Sequence, residues 1–420
     1  MAPPGHDPTH YNPPVQPFFS VWAWRRLRSV PLALALASPA AAQMLPAQPV
    51  RLADGRIVVS GEASASSAPE DLGFFNYSDY RFSTLRMLRL AVSTEVKASR
   101  HLSVLSEVRS QNGHRPEILA LYARVRPWVR RPFTIQAGRI PPTFGAFTRR
   151  AYSRDNPLVG YPLAYQYLTS LRSDAVPASA NELVDMRGRG WLSTFSIGNT
   201  APDRGLPLVS AFNWDTGIQA TGGWRTVELT GSVSAGSASE PRFRDNNGGQ
   251  QVAGRVSWKP VTGLLAGASF SQAPYLARTA SDAAGANGRD RQRVYGADVE
   301  YARAHWLVRA DTVVSTWDIP TPRAPRLTAP VRAVATEIEG RYTVRAGLYV
   351  AARVDHLAFS VITTRRGMTG WEAPVTRVET GAGYAVQRNL HLRASVQRNT
   401  RDGGRVTHSV LPSVQLLYWF

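Results

Sequence analysis

Side chains suited to catalysis are few in this sequence and form no motif. The histidines beyond the N-terminal region are His101, His114, His305, His356, His391 and His408, scattered along the chain. No G-x-S-x-G nucleophile turn occurs, nor any phosphate-binding loop, H-E-x-x-H pair or calcium loop. With 0 cysteines, the chain has no thiolate nucleophile and no thiolate metal site. The sequence therefore predicts a protein that is not an enzyme and holds neither a metal nor a cofactor.

Arginine is the chemically active residue type that recurs with a regular spacing. In residues 348–355, for example, Val350 and Val354 alternate with Arg353 and Asp355. Because successive side chains of a β-strand point to opposite faces, this alternation predicts strands with one apolar and one charged face. The positions that alternate with the apolar residues form the charged phase of these strands. The arginines on it are Arg89, Arg109, Arg124, Arg126, Arg255, Arg309, Arg341, Arg353, Arg377 and Arg393. Acidic residues on the same phase are Glu95, Glu107, Glu228, Asp298, Glu300, Asp311, Glu337, Glu339, Asp355 and Glu379.

Segments of this kind recur from about residue 56 to the end of the chain. The candidates are residues 56–65, 84–97, 101–110, 117–127, 132–140, 187–197, 208–220, 224–235, 250–258, 262–273, 291–302, 305–317, 331–343, 346–357, 374–386, 389–398 and 409–420. Most are long enough to cross a bilayer at a tilt, whereas soluble β-sandwiches use shorter strands. Tight turns also alternate with long loops, as in transmembrane barrels. We therefore predict an all-β protein, an antiparallel transmembrane β-barrel of about 16 strands, with 18 as the alternative because one segment near 141–200 does not fit the alternation.

If the strands form a membrane barrel, the charged side chains must point into the barrel and away from lipid. A lipid-facing charge near the bilayer midplane costs about 2–4 kcal/mol, so the ten arginines are predicted to line the lumen. There they could set ion selectivity, or they could form cross-strand ladders with the acids and serve only the structure. The formal net charge of +19 is carried by scattered single arginines, without a basic helix or a zinc-finger spacing. That distribution argues against nucleic-acid binding and for a positive lumen or rim.

The N-terminus predicts export. Arg25, Arg26 and Arg28 precede the apolar residues 30–37, and Ala40-Ala41-Ala42 before Gln43 is a cleavage site for signal peptidase. The apolar segment is too short for a membrane anchor. We predict an N-terminal extension and signal peptide over 1–42, with translation starting near residue 21 as an alternative, a periplasmic lead-in over 43–55 and a barrel over 56–420.

Two short stretches resemble bacterial outer-membrane proteins. Leu416, Tyr418 and Phe420 alternate at the end of the sequence and resemble the signal that the barrel assembly machinery reads. Residues 137–145, Ala-Gly-Arg-Ile-Pro-Pro-Thr-Phe-Gly, resemble a strand-end pattern of phosphate-selective-porin-like proteins. Thr143 is an insertion in that pattern, so the anion preference of that family is not carried over by it.

The resemblance to porins implies a water-filled lumen in the outer membrane of a Gram-negative bacterium, through which small hydrophilic solutes diffuse passively. It also implies contacts with lipid, lipopolysaccharide and the assembly machinery, and a homotrimer as the assembly. The alternative is a non-conducting structural or adhesive barrel.

The longest irregular stretch, 141–186, contains Arg149, Arg150, Arg154 and Arg172 together with several tyrosines. Loops of this length are usually functional or disordered, and the aromatic content argues against disorder. One hypothesis is that this loop folds into the barrel and narrows it, as the third loop does in general porins. The others are an external cap or a strand missed by the pattern.

Overall fold

Sixteen antiparallel strands form a closed barrel in the computed structural model, which describes residues 46–77, 82–286 and 290–420. The barrel strands are β1 (Ile57–Ser67), β2 (Leu88–Lys97), β3 (Leu102–Gln111), β4 (Glu117–Val125), β5 (Phe133–Ile140), β6 (Asp215–Trp224), β7 (Val227–Ser234), β8 (Gln251–Trp258), β9 (Leu264–Pro274), β10 (Arg291–Arg303), β11 (Trp306–Trp317), β12 (Val331–Arg345), β13 (Leu348–Phe359), β14 (Val375–Gln387), β15 (Leu390–Arg401) and β16 (His408–Trp419). The prediction of 16 strands is confirmed, and 18 is wrong.

The barrel closes between its first and last strands. Strand β1 pairs with β2 along one edge and with β16 along the other, where Glu62 lies opposite Trp419. Beyond the end of β16, the backbone N–H of Phe420 donates to the carbonyl oxygen of Gly61 at 3.0 Å, and the N–H of Gly61 donates back at 3.1 Å. A closed barrel leaves no free edge, so every strand has two neighbours and the backbone can lie in lipid.

The candidate strand at 187–197 is wrong. These residues lie in the long connection between β5 and β6, where residues 180–185 form a short helix and Ser193 makes an isolated bridge to Asp203. Side-chain alternation gave a wrong strand here because it does not show how closely two backbone segments pack. At Gly190 the backbone is so close to its neighbour that a Cβ would lie 1.8 Å from the carbonyl oxygen of Leu168. The next candidate, 208–220, also begins too early, since β6 starts at Asp215.

The two faces of the wall have opposite chemistry. On β13 the outward side chains of Val350 and Val354 are 46% and 49% exposed, whereas Arg353 and Asp355 on the opposite phase are each 1% exposed. The same alternation runs along the neighbouring strands, where Ile338 and Val378 lie beside Val354 on the outside. The apolar outer face therefore suits hydrocarbon, and the charged phase points into the barrel as predicted.

No helix in the described part of the chain is long and apolar enough to cross a membrane.

Connections of different length lie at the two ends of the barrel. Seven short turns, such as the two-residue turn 346–347 between β12 and β13, lie at one end, which we call the turn side. Gly347 occupies that turn with φ +80°, a conformation that side chains rarely adopt. The long connections lie at the other end, the loop side, together with two short ones, 112–116 and 402–407. Outer-membrane barrels place short turns in the periplasm and long loops outside, which assigns the two sides.

Residues 1–45, with the predicted signal peptide, lie outside the described residues, so the extension and cleavage site stay predictions. In the lead-in, Val50–Leu52 forms a short strand that pairs with Ile57–Val59 at the start of β1.

Candidate functional site in the barrel interior

The connection between β5 and β6, residues 141–214, folds into the barrel; we call it loop L3. It is longer than the predicted loop 141–186, because the candidate strand 187–197 belongs to it. Its hydroxyl groups reach inward-facing side chains of the wall: Thr143 donates to Ser232 on β7 at 2.8 Å, and Tyr165 donates to Asp311 on β11 at 2.5 Å. This part of loop L3 therefore lies inside the barrel. Residues 173–188 instead contact the loop-side connections, where the N–H of Ala277 donates to the carbonyl oxygen of Ser173 at 2.6 Å and the N–H of Arg323 to that of Ala178 at 2.8 Å. The loop combines an inner segment with a cap, and it is not a missed strand.

An apolar core fixes loop L3 against strands β10–β14. The loop contributes buried aromatic side chains and the wall contributes small or branched ones; the principal members are Phe144, Phe147, Tyr161, Tyr165, Tyr167, Val294, Val313, Ala335 and Leu357. Each fully buried large side chain of this kind stabilises the packing by about 1.5–3 kcal/mol. Burial also raises the pKa of Tyr165 well above its usual value, so this phenol stays neutral and keeps its donor. This core consequently fills the interior beside β10–β14.

A buried carboxylate holds loop L3 at the loop side. Glu372, in the connection between β13 and β14, accepts hydrogen bonds from the backbone N–H of Ser170 at 2.8 Å, from the Ser170 hydroxyl and from the N–H of Gly188. Burial raises the pKa of Glu372 in spite of these donors. The loop thus depends on one acidic side chain that sequence analysis did not single out.

The predicted lumen arginines on β8, β11 and β13 form ion pairs. Arg255 pairs with Asp298 at 2.6 Å and Arg309 with Glu300 at 2.8 Å. Arg353 lies among three carboxylates, those of Glu339, Asp355 and Glu379, at 3.4, 3.1 and 2.7 Å. On this part of the wall the charges form cross-strand ladders.

Other predicted arginines hold backbone carbonyls of the inner segments. Arg377 donates to the carbonyl oxygens of Tyr161 and Phe75, both at 2.8 Å, and Arg393 donates to that of Ser153 at 2.5 Å. Arg341, at the turn side of β12, lies 5.7 Å from the ring centre of Tyr349.

A polar cavity of about 470 Å³ remains between loop L3 and the wall formed by β1–β7. Its charged lining consists of Glu62, Glu107, Arg124, Arg126, Arg154 and Glu228. Arg124 and Arg126 are the predicted lumen arginines that face this space; Arg126 lies one residue beyond β4 and is exposed. The cavity opens at the turn side, where Arg126 and Glu228 lie at the ends of their strands.

The four arginines predicted on loop L3 have different surroundings. Arg154 lines the cavity and is half-exposed, whereas Arg150 pairs with Glu300 at 2.8 Å. Arg149 lies in the short 3₁₀ helix Phe147–Arg150. Arg172 is fully buried and pairs with Asp174 at 2.8 Å.

The surroundings of Arg172 show that it organises the loop. Its Nη1 donates to the carbonyl oxygens of Ser193 and Ala201, at 3.0 and 2.6 Å. Burial alone would raise the pKa of Asp174, but hydrogen bonds from Arg172 and Asn199 and the charge of Arg172 lower it below its usual value. Asp174 therefore stays ionised and keeps Arg172 in place.

Several residues of this site were not predicted from the sequence. Glu62 lies on the inward phase of β1, and its carboxylate accepts the N–H of Ser153 at 3.0 Å; the alternation in 56–65 could have indicated it. Phe212 fell inside the candidate strand 208–220 and carried no signal as part of a loop. At the C-terminus, Leu416 faces outward on β16 and Tyr418 and Phe420 are half-buried, while their role in assembly stays a prediction.

No group of three or more histidine, aspartate or glutamate side chains in the described residues is arranged to hold a metal ion.

These features define an outer-membrane β-barrel of the porin fold: 16 strands, an apolar outer face, short turns on one side and a third loop folded inward. No family model matches the chain, and no curated protein matches it. Solved structures with a similar fold include OmpF of Salmonella typhi in complex with daunomycin, at 9% identity over 87% of this chain and 97% of that chain, with a TM-score of 0.54. An anion-selective porin from Comamonas acidovorans is similar at 7% identity over 87% and 99%, with a TM-score of 0.50. The trimer form of OmpT, an outer membrane protein of Vibrio cholerae, matches at 10% identity over 87% and 99%, with a TM-score of 0.50. At these identities the similarity shows the fold.

Proposed function

We propose that this protein is a passive channel for small hydrophilic solutes, with no catalytic step, and that solutes pass between loop L3 and strands β1–β7. The observation that carries the proposal is the charged cavity of about 470 Å³ in this part of the interior. The opposite half of the barrel is filled by the apolar core and by ion pairs such as Arg353 with Glu379. A solute path therefore has room on one side only.

The charges along this path support small polar or ionic solutes. Three arginines and three glutamates line the cavity, so its wall is close to balanced. An anion preference then depends on the arginines nearest the loop side, Arg89 and Arg109, which lie beyond the cavity on β2 and β3. Fixed charges along a pore set its selectivity. The anion-selective porin with a similar fold makes this preference a reasonable part of the proposal.

Lipid, lipopolysaccharide and the barrel assembly machinery are the partners that an outer-membrane barrel requires, and they remain part of the proposal. A homotrimer is proposed as the assembly, because a similar structure is a trimer form and the outer wall offers exposed apolar side chains.

The test is planar-bilayer conductance of the refolded full chain in a KCl gradient. We expect stable current steps, smaller than an unobstructed 16-strand barrel would give, with a reversal potential that favours chloride. A heat-modifiable, folded barrel that gives no steps would overturn the channel proposal.

The second candidate is a non-conducting structural or adhesive barrel. One observation favours it: Tyr122 and Trp214, which line the cavity, pack with Ile140 in an apolar cluster that narrows the space between loop L3 and β4–β5. The conductance measurement separates the two candidates.

A further inference from the structure

Arg109 differs from the ion-paired arginines of the wall. Its Nη1 atom is buried and has no hydrogen-bond partner in the described part of the chain. The neighbouring Arg89 donates from Nη1 to the hydroxyl of Tyr161 at 2.6 Å. Neither guanidinium has a carboxylate at ion-pair distance among the described residues, whereas Arg255, Arg309 and Arg353 all have one. Two adjacent strands thus present cationic groups that form no ion pair, although the charge of Glu107 acts on Arg109 from a longer distance.

The ring of Phe212, near the end of loop L3, covers both groups. The guanidinium carbon of Arg109 lies 4.2 Å from the centre of this ring, and that of Arg89 lies 4.8 Å from it. The rings of Tyr152 and Tyr161 surround Phe212 at centroid distances of 6.5 and 6.1 Å. An aromatic face attracts a guanidinium, so the ring occupies the place that an anion would otherwise take.

The strand period places this group directly above the cavity. Along β2, the inward residues Ser93 and Ala91 line the cavity, and the next inward position toward the loop side is Arg89. Along β3, Glu107 lines the cavity and the next such position is Arg109. Because Phe212 contacts both arginines, it lies on the loop side of the cavity over β2 and β3, next to Tyr152, which lines the cavity.

We propose that Phe212 is the closing element of this path, and that Arg89 and Arg109 beneath it form a binding position for small anions once the ring moves away. The inference rests on the proposed function and adds to it a gating residue and a solute class. Phe212 is held in place by its two cation–π contacts and by its packing against Tyr152 and Tyr161. An incoming carboxylate, sulfonate or phosphate would replace the ring and supply the missing counter-charge.

The absence of cysteine from the sequence allows a direct test. A Thr134→Cys reporter lines the cavity near the turn side, on β5. In sided proteoliposomes, anionic and cationic methanethiosulfonates are added at the loop side, and the mass shift of the protein gives the modification rate. We expect slow reaction in the reporter alone. Adding Phe212→Ala should raise the modification rate about tenfold, because the ring and its two cation–π contacts are lost. The anionic reagent should react faster than the cationic one, because Arg89 and Arg109 are then uncovered.

Phe243→Ala is the matched control. Phe243 also lies against an arginine, 3.7 Å from the guanidinium carbon of Arg139, but it is exposed and does not line the cavity. Equal loop-side rates in Phe212→Ala and Phe243→Ala would overturn the gate. Thr221→Cys, which also lines the cavity, serves as a second reporter if the first variant does not fold.

The anion position has its own test. In the Phe212→Ala reporter, replacing Arg89 and Arg109 by glutamine should remove the advantage of the anionic reagent over the cationic one. An advantage that persists would overturn the anion assignment.

The chemical readout also separates this inference from the channel proposal. Fast labelling of Phe212→Ala together with no conductance in the unaltered protein would contradict the passive channel and support the closing role of Phe212. The opposite result is conductance in the unaltered protein, with neither conductance nor labelling changed by Phe212→Ala. It would contradict the closing role of Phe212 and support the channel.

Discussion

Arg353 on β13 and Glu379 on β14 form an ion pair at 2.7 Å in which neither side chain is exposed. The same guanidinium donates to the carbonyl oxygen of Gly160 at 2.9 Å, and the N–H of Gly160 donates to Glu379 at 3.0 Å. The pair therefore binds the wall to loop L3 as well as one strand to the next. Removing Arg353 would leave the buried carboxylates of Glu379 and Asp355 without this counter-charge.

Replacing Arg353 with methionine should lower the free energy of unfolding by about 3–5 kcal/mol, because Glu379 and Asp355 then lie buried without their counter-charge. Thermal unfolding of the refolded barrel in micelles, followed by heat-modifiable mobility, measures the change. Arg366→Met is the control, since its pair with Asp185 at 3.7 Å is largely exposed and should contribute little. Equal effects of the two substitutions would contradict the role of the buried pair.

Loop L3 depends on close backbone contacts that leave no room for a side chain. A Cβ on Gly205 would lie 1.6 Å from the carbonyl oxygen of Thr169, so Gly205→Ala should displace the loop and destabilise the protein by about 1–3 kcal/mol. Gly231→Ala on β7 meets nothing within 4 Å and should have little effect. Protease cleavage within loop L3 and the midpoint of thermal unfolding measure the difference. An unchanged cleavage pattern in Gly205→Ala would count against the packed loop.

A charged side chain on the outer face should lower the free energy of unfolding, because this face lies in lipid. Val354 lies between Ile338 and Val378 on the outer surface, and Val354→Arg should cost about 2–4 kcal/mol in liposomes. Met368→Arg is the control, because this residue is 76% exposed in the hairpin beyond the barrel. If unfolding in liposomes shows the same stability for both variants, this face does not contact hydrocarbon.

Two arginines of loop L3 should differ in their effects on permeation. Arg154→Gln removes a half-exposed charge from the cavity wall and should lower the chloride-to-potassium permeability ratio severalfold, since a unit charge near a solute is worth about 1 kcal/mol in water-like surroundings. Arg172→Gln should lower thermal stability and leave the ratio unchanged, because Arg172 is buried against Asp174 away from the cavity. Reversal potentials in a KCl gradient measure the ratio. A shift caused by Arg172→Gln alone would reverse this assignment.

Local side-chain patterns determined much of this structure. Alternation along segments such as 348–355 predicted the strands and placed Arg353 and Asp355 inside, because a strand in a membrane wall has one lipid face and one inner face. Turn and loop lengths then predicted 16 strands. These features depend on residues close together in the chain, so they can be read without knowing what lies across the barrel.

The tertiary structure decided what the inner charges do. Arg353 and Arg109 occupy equivalent inward positions in the sequence pattern, yet one pairs with Glu379 and the other lies against Phe212. The difference comes from loop L3, whose path across the interior brings together residues far apart in the chain. Alternation carries no information about such contacts, because the packing of a loop depends on shape, hydrogen bonds and space, as at Gly190 and Gly205. The sequence by itself determined the barrel and the direction of its side chains, and only the folded chain decided which charges remain available to a solute.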